Sequence, residues 1–191
     1  MARSNVDTSG DMVLEGYAVL FDTPSEDLGG FKEIIDSHAL DDVDIADVKC
    51  LINHDFQMII GRTQAETLEL KLDNKGLWFK CYLPDTSYAR DIYENVKAGN
   101  VTQCSFFYTL PSDDQTAKSW TRDDGEYVQT INHIDELLEI SIVTMPAYVG
   151  TSVEVGQRSQ SLEQFQEEMR KMSMQQQKLQ KKDIRYGRHI P

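Results

Sequence analysis

Long apolar runs are missing from this chain. The best candidate, Ile140 to Gly150, is interrupted by Pro146 and falls well short of the ~18–20 residues a membrane span needs. No membrane partner is expected. The first residues, MARSNVDTSGD, carry no apolar stretch, so they do not read as a secretory signal. Cysteine is scarce: Cys50, Cys81 and Cys104 are widely spaced and form no CxxC pair. They read as reduced core thiols of a cytosolic protein, not as a disulfide or zinc framework. There is no G-x-S-x-G elbow, P-loop, GxGxxG or HExxH, which removes several common enzyme classes.

Positive charge is also short. Among 191 residues, 19 are Lys or Arg and 32 are Asp or Glu, a net charge of −13. The deficit is uneven. Residues 157–191 hold eight basic and four acidic groups, leaving residues 1–156 with 11 basic and 28 acidic, a net of −17. So acidic a body repels phosphate backbones, and nucleic acid is not an expected ligand.

What is present is a globular composition, 40% hydrophobic with 11 glycines, and mainly β patterning. Strands are expected over 12–21, 31–36, 47–53, 101–110, 126–133 and 136–144. The clearest hairpin is ETLELKL, Asp73-Asn74-Lys75-Gly76, LWFKCYL. Two helices are expected: one from Ser37 to about Asp47, and one opened by Pro84-Asp85-Thr86, striped by Tyr88, Ile92, Tyr93 and Val96, and closed by Gly99. The polar stretch 111–126 reads as a long exposed loop. From Gln157 onward come eight glutamines and an apolar seam of Leu162, Phe165, Met169, Met172 and Leu179. That pattern predicts an amphipathic helix outside the main domain. The division is therefore 1–156 for the domain and 157–191 for a basic, Gln-rich tail.

Three polar residues stand out against apolar strands. His54 follows Cys50-Leu51-Ile52-Asn53; at the mouth of a buried strand it suits a general base, or it is simply a hydrogen-bonded structural histidine. Ser105 lies within VTQCSFFY, where a hydroxyl needs a partner, either a histidine or a backbone carbonyl. Glu139 sits in LLEISIV and shares a strand face with Ser141, opposite Leu138, Ile140 and Ile142. That face is either solvated or a polar cleft, since a buried Glu is costly unless paired. A metal among His54, Asp55, His133 and Asp135 lacks any ligand spacing, so neither metal nor organic cofactor is expected.

Together these residues, with GYAVLF and Glu33-Ile34-Ile35, LINHD and Ile60-Gly61, DNKGL, VKAG ahead of Ser105-Phe106, and LEISIVTMPAY, make the stretch 13–151 resemble the prohead (capsid-maturation) proteases of tailed bacteriophages. That family is related in fold to the herpesvirus assemblins. The resemblance implies an α+β, mainly antiparallel fold with an assemblin-like β-barrel core flanked by helices. It implies a serine endopeptidase with Ser105 as nucleophile, His54 as base and Glu139 as third member, with His133 as competitor for that third place. Two positions depart from the family pattern: Phe107 stands where a glycine is usual, and no arginine pair follows Thr144. The implied substrates are the scaffold or the scaffolding segment of the major capsid protein, and the enzyme itself, inside the procapsid in the host cytoplasm. A homo-oligomer is a further implied possibility. A second reading, from another class, is a catalytically inactive assembly factor acting through its helical tail.

Overall fold

The computed structural model describes residues 3–6, 12–123 and 125–145. Eleven strands and one α-helix occur among them: β1 (Arg3–Val6), β2 (Met12–Leu20), β3 (Phe31–Ile35), β4 (Lys49–Ile52), β5 (Asp55–Arg62), β6 (Leu68–Asp73), β7 (Gly76–Tyr82), α1 (Ser87–Lys97), β8 (Gln103–Thr109), β9 (Lys118–Asp123), β10 (Glu126–Ile131) and β11 (Glu136–Val143). None of the described helices is long and apolar enough to cross a membrane.

The strands form three sheets. The first, β1-β2-β7-β6, is antiparallel throughout. The second, β3-β10-β9, pairs β3 with β10 in parallel and β10 with β9 antiparallel. The third, β5-β4-β11-β8, places β11 between a parallel β4 and an antiparallel β8. The expected barrel is not found: among the described residues the ladders do not close on themselves. Instead β2 packs against β8 and β5 against β7, so side-chain contacts, including a Cys81 Sγ hydrogen bond to the Ile60 carbonyl at 3.2 Å, and not a strand ladder join the first and third sheets.

One apolar core lies among these elements. Leu14, Val19, Leu77, Phe79 and Cys81 enter it from the first sheet, Ile35 and Ile131 from the second, and Cys50, Ile60, Phe106, Ile140 and Ile142 from the third. On β7 the alternation is regular, with Leu77, Phe79 and Cys81 buried between half-exposed Trp78, Lys80 and Tyr82, as a strand with one covered face requires. At the hairpin before it, Asp73 Oδ1 accepts from the Lys75 and Gly76 N–H groups at 2.7 and 3.2 Å, an Asx turn that closes the loop.

The helix expected from Thr86 to Gly99 is present as α1. Thr86 caps it by accepting from the Ala89 N–H, and Gly99 ends it at φ +77°. Ala89, Ile92, Tyr93 and Val96 face the core.

The other expected helix, Ser37 to Asp47, is a chain of turns. Ala39, Asp41 and Val43 each donate to the residue three back. Asp36 and Asp44 side chains take the backbone N–H groups of His38 and Ala46, a local competition that disfavours helix. The expected loop 111–126 instead contains the whole of β9. This strand pairs with β10 around Gly125 and anchors Trp120 edge-on to Phe31, ring centroids 5.2 Å apart. The expected tail helix lies outside the described residues.

Candidate active site

The site is built on the third sheet. Chain reversal between β4 and β5 takes only Asn53 and His54, since Ile52 pairs with Asp55. Both residues have positive φ, 48° and 61°, the pattern of a type I′ hairpin, whose twist suits the flanking strands. Asn is well adapted to that conformation. His, like any residue with a Cβ, is held there at a cost of about 1 kcal/mol.

Neighbouring groups of β11 secure the turn. The Asn53 N–H donates to the Ile142 carbonyl at 3.0 Å. Asn53 Oδ1 accepts from the Thr144 N–H at 3.2 Å, and the His54 N–H donates to Ser141 Oγ at 3.1 Å. The folded-back turn leaves the imidazole against β11, where Nδ1 donates to Glu139 Oε1 at 2.6 Å. Ser141 Oγ donates to the other carboxylate oxygen, Oε2, at 2.5 Å.

Glu139 and Ser141 are fully buried, and the His54 side chain is 2% exposed. Their strand face is thus a polar cleft and not a solvated one. Both faces of β11 are covered: Ile140 and Ile142 enter the apolar core on one, and the His54 turn lies over Glu139 and Ser141 on the other. An ionised carboxylate only accepts, so the Glu139 contact places the proton on Nδ1 and leaves Nε2 with a lone pair.

Ser105 enters from β8. It lies directly opposite Ser141 in the antiparallel ladder, and such pairs share a face with Cβ atoms about 5 Å apart. Ser105, Ser141 and Glu139 therefore line one side of the sheet, with Phe107 opposite Glu139. Among the described residues, two buried side-chain polar atoms make no hydrogen bond: His54 Nε2 and Ser105 Oγ. One is an acceptor, the other a donor. Catalytic serine–histidine contacts are often long without substrate and tighten when it binds.

His133 takes no part in this cluster. It lies just beyond β10, half-buried, with Nδ1 3.3 Å from Asp114 Oδ2. No group of three or more His, Cys, Asp or Glu among the described residues is arranged to hold a metal ion. Beside Ser105, burial pushes the Cys104 thiol up to about 12. The adjacent Cys81 thiol, together with burial, holds Cys50 well above the ordinary thiol value.

Exposed apolar side chains follow His54 and Ser105 closely in the chain. Three residues of β5, Phe56, Gln57 and Met58, bulge out between the Ile52–Asp55 and Leu51–Ile59 pairs. Phe56 and Met58 stand exposed just past His54, and Phe107 two residues past Ser105.

Sequence reasoning did not assign work to Asn53 or Ser141. Asn53 was visible as an Asn-His pair between strands, and Ser141 by its shared parity with Glu139. No curated protein and no solved structure matches the chain. A family model described as caudovirus prohead serine protease matches residues 1–167, and the chain belongs to that family of capsid-maturation serine peptidases.

Proposed function

We propose that Ser105, His54 and Glu139 are the nucleophile, base and orienting acid of this peptidase. Support for the reading comes chiefly from one observation: a buried His54–Glu139 contact of 2.6 Å leaves Nε2 unpaired on the sheet face that also carries the unpaired Ser105 hydroxyl. Nε2 takes the Ser105 proton as Oγ attacks the scissile carbonyl. Glu139 fixes the tautomer and stabilises the imidazolium that forms. The same proton then passes to the leaving amine, and water, activated by His54 in turn, releases the acyl group from Ser105. Backbone N–H groups beside Ser105 would hold the oxyanion.

The substrates in this reading are scaffold, or the scaffolding segment of the major capsid protein, and the enzyme itself, processed within the procapsid. Residues 1–156 form the peptidase domain and 157–191 a separate basic tail. A fluorophosphonate probe tests the assignment. The wild-type chain should be labelled at Ser105, as located by mass spectrometry. Ser105→Ala should neither label nor cleave, a loss of about 10⁴–10⁶-fold. Undiminished cleavage by the folded variant overturns the nucleophile. A folded wild-type chain that never labels favours an inactive assembly factor.

A further inference from the structure

We infer that Ser141 is a positioning residue, whose hydroxyl locks the His54 turn to the Glu139 carboxylate so that Nε2 is presented to Ser105. The inference rests on the triad reading above and adds a member that does not touch substrate.

The hydrogen bonds close a ring. The His54 backbone N–H donates to Ser141 Oγ at 3.1 Å, and Ser141 Oγ donates to Glu139 Oε2 at 2.5 Å. Glu139 Oε1 in turn accepts from His54 Nδ1 at 2.6 Å. Backbone and side chain of the same histidine are therefore tied to one carboxylate, the backbone through Ser141. A buried serine that serves only packing usually bonds a backbone carbonyl; here both partners belong to the His54–Glu139 pair.

Two features explain why such a tie is needed. Central residues of a two-residue hairpin have no ladder partners, so their N–H groups need acceptors from elsewhere. Asn53 finds the Ile142 carbonyl and His54 finds Ser141 Oγ. His54 also holds a left-handed conformation that a non-glycine residue keeps only when its surroundings impose it. Register adds a size limit. Ser141 faces Ser105 across the β8–β11 ladder and is fully buried, so the residue there must be small and must also donate and accept.

The test is the fluorophosphonate labelling rate of the full chain in five forms: wild type, Ser141→Ala, Ser141→Cys, Glu139→Gln and Glu139→Gln with Ser141→Ala. The thiol variant preserves packing but is a weak hydrogen-bonding group, so it carries the test if the alanine variant does not fold. Both single Ser141 variants should label about 10–100-fold more slowly, the usual effect of removing a group that orients a functional side chain. The double variant should label no more slowly than Glu139→Gln alone, because Ser141 acts through that carboxylate. Labelling of the folded Ser141 variants within twofold of wild type overturns the inference and leaves the triad standing. So does an equal slowing in both backgrounds, which marks an independent packing effect. Failure of both Ser141 variants to fold would make Ser141 a core residue and reject the positioning role. Wild-type labelling by Glu139→Gln overturns the triad and this inference with it.

Discussion

His54 shows how much one residue position can be asked to hold. Its backbone is left-handed, its ring is buried, and its Nδ1 is committed to Glu139. A buried pair of this kind gives little net stability, whereas breaking it strands a charge at about 3–5 kcal/mol. The informative variant is therefore Glu139→Gln, which preserves shape while removing the carboxylate that sets the tautomer. We expect it to fold and to lose about 10⁴-fold in labelling and cleavage rate, as loss of the orienting carboxylate does in serine proteases. His133→Ala, which disturbs a partly exposed contact with Asp114, should retain most of its activity. The reverse ranking in two folded variants would give the third role to His133.

At the scale of elements, tight turns bring the parts together, and glycine is required where backbones approach. Gly76 starts β7 at φ +153°, and a Cβ there would run into the Val19 carbonyl group. Gly99 also has positive φ, but nothing lies within 4 Å of where its Cβ would sit. Gly99→Ala should therefore carry only the conformational penalty, about 1 kcal/mol. That is a fall of roughly 2–4 °C in melting temperature for a chain of this size. Gly76→Ala adds a clash with main chain that cannot swing aside, and its melting temperature should fall further. Thermal denaturation followed by circular dichroism makes the comparison, and equal losses would contradict the packing described at Val19. The same logic explains why β9 forms from so polar a segment: one anchored tryptophan and a ladder to β10 are enough for an edge strand.

At the scale of the whole molecule, the three sheets share one core, and the cysteines report on it. Cys50, Cys81 and Cys104 are all free and buried. Burial raises the Cys104 thiol from 9.0 to about 12 in the folded protein. A group with a raised folded value contributes its full stability below the unfolded value and loses it as pH rises through the folded one. Between pH 9 and 12 the unfolded chain releases this proton while the folded chain retains it. Stability should therefore fall by about 1.4 kcal/mol per pH unit for this thiol. Urea denaturation at pH 8 and pH 10 measures the change. Cys104→Ala should show a shallower decline, and an identical decline would remove the thiol as its cause.

Local pattern determined much of this protein. Runs of strand-forming residues located β2, β3, β4, β8, β10 and β11, alternation located the β6–β7 hairpin, and Thr86 and Gly99 bracketed α1, because a strand run or a helix cap is specified by residues near in sequence. His54, Ser105 and Glu139 were recognisable as polar groups set among apolar strands. Short-range signals failed where stability comes from elsewhere. The 37–47 segment looks helical until its aspartates take backbone N–H groups, and β9 is invisible without the β10 ladder that holds it. Whether Glu139 faced water or a cleft was undecidable from parity alone. That depended on a left-handed turn folding His54 over the face of β11 that carries Glu139 and Ser141. Residues 54, 105 and 139 are far apart along the chain, and only strand order and register, set by burial of the common core, put them on one side of one sheet.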